Sequence, residues 1–474
     1  MPAQDPAPEP LSNRPDDGNT GDPAEPMTQR RVLRLALPII GENLLQSSVG
    51  IIDTLMVARI GASALAGVGV SLEIVFFMIA ILSSISIGGT VLISQAFGAR
   101  DRARANQLAR QTVLWGAVLS LPLGIIGFTL ADELIGLFHT EPDVAQHATT
   151  YLRITGATVM TLLMTFVCGA VLRGAGDSRS PLFASLIGNL VKVVLSWGLI
   201  FGNLGLPRLE VAGSAWSTTI ARGIGAVILI SVLASGRRNV TIRGSGSWLP
   251  RPRIAAQLLR LGVPAAVEQM LMSAGFTAMV SIIALIGTSA LAAHQVSFNS
   301  MSLAILPGFG FAIAATALVG QSIGARHPDH ARIAVRIATR WALLWMTAAA
   351  VIYVVFNGQI IRIYTSDAAV ISDGSAALVA IGLGLPLWAL WTVNGGGLRG
   401  SGDTRTPMVF SVTAMWSAVA IGWVLVRWFD GELWMVWITF LFTTPLPAFG
   451  NALMFRRRMN RAETDGGFGA AAPQ

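Results

Sequence analysis

Twelve apolar stretches follow one another between Arg31 and Arg458, separated by short polar runs in which arginine and glycine recur. Their centres fall at Ser47, Met78, Leu119, Met160, Val193, Ala226, Ala274, Pro307, Ala349, Leu387, Trp416 and Thr443. Each spans the roughly 20 residues that a helix needs to cross about 30 Å of hydrocarbon. Hydrocarbon offers no partner to backbone amides, so such stretches can only be helices bonded within themselves. The second and eighth stretches, 65–97 and 291–323, exceed that length. They are expected to tilt or bend, the latter at Pro307 and Gly308. The pattern predicts an all-α membrane protein with twelve transmembrane helices.

Composition agrees: 53% of the 474 residues are hydrophobic and 12% charged. A soluble domain carries about a quarter of its residues charged. The formal charge of +8 lies in arginine clusters between the apolar stretches. That placement suits a topological signal and not a nucleic-acid surface. Clusters follow the second, fourth, sixth, eighth, tenth and twelfth stretches, while Asp132, Glu133, Asp367 and Asp373 occupy the opposite loops. Positive loops stay inside, so a multi-pass protein with both termini cytoplasmic is expected. Residues 1–29 and 459–474 read as disordered tails, and 237–259 as a cytoplasmic linker. The lone cysteine, Cys168, sits inside an apolar stretch and reads as a packed small residue. With no phosphate loop, metal-ligand cluster or nucleophile triad, neither an enzyme nor a cofactor is expected.

The chain also repeats itself at an offset of 226. LRGAGDSRSP begins at Leu172 and LRGSGDTRTP at Leu398; the same spacing pairs Pro38 with Pro264, Glu42 with Glu268 and Gln95 with Gln321. Two lobes follow, 30–236 with helices one to six and 260–458 with helices seven to twelve. An even number of spans per lobe makes the repeats parallel, related by a pseudo-twofold axis along the membrane normal. The LRG.GD.R.P phrases then read as turns, with an Asp177-Arg179 or Asp403-Arg405 contact as a brace.

Charges inside the spans are costly and functional by default. Glu42, Gln46 and Asp53 share one face of the first helix, Asp53 lying about 16 Å beyond Glu42. Glu268 repeats Glu42, but Met279 stands where Asp53 would recur, and Ala418 where Lys192, the chain's sole lysine, would. A structural charge would be duplicated; a coupling site need exist only once. Asp53 is therefore the expected proton-binding carboxylate, with Lys192 as the partner it makes and breaks. A permanent structural ion pair is the alternative. Glu42 and Glu268 read equally well as coupling groups or as helix bridges. His294 reads as an interfacial, hydrogen-bonded residue. Gln46, Asn189, Ser196, Met272, Gln295, Asn299 and Trp391 are candidates to line a substrate cavity.

PIIGENLLQSSVGIIDTLMVARIG, SALAAHQVSFNSMSLAILPGFGFAIAATALVGQSIGA and both LRG.GD.R.P phrases resemble the MATE family of multidrug and toxic compound extrusion transporters. The resemblance covers Arg31 to about Arg458. It implies two six-helix lobes and secondary active efflux of amphipathic, often cationic drugs across a bacterial inner membrane by alternating access. Asp53 matches the first-helix aspartate that similar transporters use for coupling. Proton-coupled relatives of one branch carry Asn and Asp in the fifth helix where this chain has Lys192 and Ser196. Sodium-coupled relatives of another carry a glutamate where it has Met272, and an acid in the tenth helix that is missing here. Protons are thus favoured over sodium. Drugs and membrane lipids are the expected partners, nucleic acid is not, and a monomer suffices. A lipid-linked saccharide flippase and a major-facilitator antiporter are the alternatives. Four intramembrane acids, Glu42, Asp53, Glu73 and Glu268, against Lys192 and Arg222, favour cationic cargo.

Overall fold

The computed structural model describes residues 26–236, 239–244 and 248–464, which form sixteen helices and, among the described residues, no strand. Six spans make the N-lobe: α1 (Gln29–Ala58), α2 (Ala62–Gly98), α3 (Arg102–Thr129), the pair α5 (Pro142–Ala157) and α6 (Val159–Gly174), α7 (Arg179–Phe201) and α8 (Glu210–Ser235). Six make the C-lobe: α9 (Pro252–Ala284), α10 (Thr288–Gly324), α11 (Pro328–Val355), α13 (Ala368–Gly400), α14 (Arg405–Trp428), and α15 (Leu433–Thr443) with α16 (Pro445–Thr464). The short helices α4 (Ala131–Gly136) and α12 (Asn357–Arg362) lie in loops at the end opposite the arginine clusters.

Among the described residues, eleven helical spans, α15 and α16 counted as one, are long and apolar enough to cross a membrane, and α5 with α6 makes a twelfth across a 52° bend. The bend falls at Thr158, whose hydroxyl bonds the Ile154 carbonyl at 2.7 Å and the Thr219 hydroxyl at 2.8 Å. Such back-bonding to the carbonyl four residues earlier weakens a helix locally and bends it. No proline marks the site. Conversely, α10 runs unbroken through Pro307.

Three boundaries differ from the sequence reading. Helix α9 begins at Pro252, inside the expected linker. Helix α16 continues to Thr464 instead of giving way to a tail at 459, because Met459 and Ala462 are buried against the bundle. Of the expected N-terminal tail, residues 26–29 are described and α1 starts at the last of them, Gln29; residues 1–25 and 465–474 lie outside the described residues.

The repeat governs how the lobes meet. Near the arginine-rich end, the Gln95 amide donates to the Gly400 carbonyl at 3.3 Å, and the Gln321 amide donates to the Gly174 carbonyl at 3.1 Å. Both residues of each bond are shifted by 226, so the two bonds are one interaction written twice across a pseudo-twofold axis. Backbone crosses backbone here: a Cβ on Gly98 would overlap the Gln321 carbonyl, and one on Gly324 the Gln95 carbonyl. Glycine is required by close approach and not by a turn. Ile40 against Gly310 and Ser84 against Gly262 extend this seal along α1, α2, α9 and α10.

Each LRG.GD.R.P phrase forms the turn its glycines predict, with Gly176 at φ +88° and Gly402 at φ +87°. The brace observed is a helix cap. Asp177 accepts from the Arg179 and Ser180 amides, both at 3.1 Å, and from the Ser180 hydroxyl at 2.6 Å. Asp403 accepts from the Thr406 amide at 3.0 Å and its hydroxyl at 2.8 Å.

Candidate functional site

A cavity of about 580 Å³ lies inside the N-lobe, walled by α1, α2, α5, α6, α7 and α8. Asp53 of α1 faces it and meets Lys192 of α7, Nζ to Oδ2 3.2 Å, with the two side chains only 13% and 15% exposed. Helices α7 and α8 supply the rest of the shell. The Ser214 hydroxyl donates to Oδ1 at 3.1 Å, and the Ser196 hydroxyl, from α7, reaches the same oxygen at 3.4 Å. Ser196 also bonds Ser217 at 2.7 Å. Arg222 and Tyr151 line the same cavity, and Arg222 exerts an electrostatic pull on Asp53. A carboxylate out of bulk water is held charged by cations and hydroxyl donors; protonating it releases them together.

Shifting the cavity wall by 226 reaches the equivalent place in the C-lobe. Gly50, Val68, Leu72, Leu162 and Thr165 become Phe276, His294, Phe298, Trp388 and Trp391, while Ser214 becomes Phe440 and Asp53 becomes the buried Met279. Those rings pack on one another: His294 stacks on Trp437 at 5.4 Å, Phe276 meets Phe298 edge to face at 5.5 Å, and Trp388 lies tilted against Trp391 at 4.7 Å. One repeat is hollow and charged where the other is filled with aromatic rings. The register holds through the last span, since Leu229 and Phe455, and Leu233 and Met459, are matched buried pairs.

Of the residues singled out in the sequence, Asp53, Lys192, Gln46, Asn189 and Ser196 come together here: Gln46 and Asn189 line the cavity, and Ser196 bonds Asp53 from behind it. Met272, Gln295, Asn299 and Trp391 do not, because all four belong to the other lobe. Trp391 is buried, its indole donating to Ser411 at 2.8 Å, and Met272 packs against the C-lobe core; Gln295 and Asn299 are exposed on α10. His294 is a core residue whose Nδ1 has no hydrogen-bond partner, not an interfacial one. Ser214, Ser217 and Tyr151 had not been singled out. For the two serines the signal is the run SAWSTT, which places Ser214, Ser217 and Thr218 on one helix face.

Glu42 and Glu268 each join two helices through an ion pair. Arg173 donates to Glu42 at 3.0 Å, and Arg399 holds both oxygens of Glu268 at 2.8 Å. The first arginine of each LRG.GD.R.P phrase thus turns inward and ties α6 to α1 and α13 to α9. Glu268→Gln leaves the Arg399 guanidinium half-desolvated without its counter-charge. It is expected to lower unfolding stability by about 3 kcal/mol, read in detergent by thermal denaturation. An unchanged midpoint would contradict the bridging role.

Two pseudo-symmetric six-helix lobes, sealed at one end, with an acid-base cluster at Asp53 and Lys192 that the repeat does not duplicate, define a polytopic membrane transporter. The family model MatE matches the chain twice, over 38–197 and 264–424, once in each lobe. The chain belongs to the MATE family. It is 32% identical to the probable multidrug resistance protein NorM of Thermotoga maritima, over 87% of this chain and 89% of that one. Its fold matches a crystal structure of MATE in the bent conformation, with a TM-score of 0.85 at 22% identity over 94% of this chain and 97% of that one. It also matches a MOP superfamily transporter from Pyrococcus furiosus, described as having a binding pocket of reverse polarity that suggests a different function. There the TM-score is 0.86 at 22% identity, over 94% and 97%.

Proposed function

We propose that the protein is a multidrug efflux transporter of a bacterial inner membrane, exporting amphipathic cationic compounds by alternating access in exchange for protons bound at Asp53. The observation that carries this reading is the unduplicated Asp53, Lys192 and Ser214 cluster inside a cavity, at a place where the C-lobe has only Met279, Ala418 and Phe440. The names of the relatives support the efflux class. Positive loops put the sealed, arginine-rich end in the cytoplasm. In this state the ionised Asp53 clamps α1 to α7 and α8. A proton arriving at Asp53 neutralises it, frees Lys192 and the serine hydroxyls, and lets α1 shift against its neighbours; cationic cargo and proton compete for one carboxylate. Nothing in the mechanism needs a second subunit.

One observation favours a second reading. Glu42 and Glu268 are neutralised by Arg173 and Arg399, and Glu73 does not line the cavity, so Asp53 faces both Lys192 and Arg222 there. The count of acids that favoured cationic cargo does not survive in the cavity itself. A net positive pocket suits an anionic amphiphile, such as a lipid-linked saccharide.

Ethidium efflux from reconstituted vesicles separates the readings. A pH gradient is expected to drive efflux and a sodium gradient of equal size is not. Transport driven by sodium alone would overturn proton coupling, and saturable binding of a lipid-linked saccharide without ethidium efflux would establish the second reading.

A further inference from the structure

We propose that a crevice between α11, α13 and α16, at the arginine-rich end of the C-lobe, holds the headgroup of an anionic phospholipid. The crevice encloses about 730 Å³ and is lined by Arg332, Arg336, Arg340 and Arg456, with no acidic residue in its wall. Arg332 is committed elsewhere, to Asp329 and Glu463, each at 2.7 Å. Arg336, Arg340 and Arg456 line the crevice with no acidic residue in its wall, and like charges sharing one crevice repel, a repulsion that an anion relieves. Arginine also matches phosphate by bidentate bonding.

The crevice is graded along the membrane normal, which selects a lipid over a free anion. Arg340 lies two turns, about 12 Å, deeper than Arg332. Below it the wall becomes apolar, with Leu343, Leu344 and Leu390. A headgroup would meet the arginines while an acyl chain followed the leucines, the arrangement by which basic pockets between spans recognise anionic lipids. Thr339, whose buried hydroxyl has no partner, belongs to the same wall.

The N-lobe shows that the fold does not require this exposure. The positions equivalent to Arg332, Arg340 and Arg456 are Asn106, Leu114 and Ile230. There the linker covers the crevice: the Thr241 amide bonds Asn106 at 2.8 Å, and Val240 and Ile242 are buried against Leu229 and Leu233. In the C-lobe no described segment covers it. Residues 465–474, DGGFGAAAPQ, offer one acid against three arginines; charge complementarity therefore favours the lipid.

Native mass spectrometry of the purified full-length protein, titrated with phosphatidylglycerol, phosphatidylcholine or inorganic phosphate, tests this. Saturable binding of phosphatidylglycerol is expected, and the triple variant R336Q/R340Q/R456Q should weaken it about a hundredfold. Should the triple variant misfold, Arg340→Gln alone is expected to weaken binding about fivefold. A chain ending at Thr464 should bind as the whole chain does. Equal binding of phosphatidylcholine, displacement of the lipid by equimolar phosphate, unchanged affinity in R340Q, or a tenfold gain on truncation would each overturn the proposal.

Discussion

Asp53→Asn is expected to reduce pH-driven ethidium efflux at least tenfold, to the level of protein-free vesicles. The amide keeps the size of the side chain and can still accept from Ser214, so the bundle folds; what it loses is the charge that a proton can cancel. Lys192 then stands partly desolvated without its counter-ion, which disfavours by about 3 kcal/mol the state in which α1 and α7 are clamped. Both effects act on the same step. Asp53→Glu retains a titratable oxygen and should recover part of the transport. Efflux per mole of reconstituted protein, compared among the three forms, decides the matter. Undiminished transport in the Asn form would make the Asp53 and Lys192 pair a structural tie.

Gly324→Val should be as damaging by a different route. Its new Cβ would overlap the Gln95 carbonyl, a backbone atom that cannot swing aside. The seal at the arginine-rich end would be wedged apart, and Gly98→Val would do the same from the other lobe. Cysteines placed at Ala99 and Ala325, in a Cys168→Ala background, should cross-link in the otherwise native protein. In Gly324→Val they should fail to cross-link, and efflux should fall at least tenfold. Loss of efflux with cross-linking intact would show that the glycines serve something other than lobe closure.

The spans were legible because the bilayer imposes a length that the sequence must repeat twelve times. The bend at Thr158 was not, since a threonine inside an apolar run signals nothing until its partner Thr219 is known. Asp53 and Lys192 stood out by failing to recur at the 226-residue offset. The same offset held the answer for Glu42 and Glu268: their partners, Arg173 and Arg399, obey it too. Both arginines had been assigned to loops because they sit beside glycines, and a pairing across 131 residues leaves no local mark. That Trp391 lies buried in the C-lobe, away from the Asp53 cavity, was not legible for a related reason. A buried tryptophan and one lining a cavity have the same spacing in sequence, and only its contacts, the ring of Trp388 and the hydroxyl of Ser411, distinguish them.

The central claim is that proton and cargo exchange at Asp53. Its most direct test needs no gradient: ethidium is added to the purified protein in weakly buffered detergent, and the proton count in solution is followed with a pH dye. The account predicts proton release on ethidium binding by the native protein and none by Asp53→Asn. Equal release from both, or ethidium binding with no release from the native protein, would contradict it.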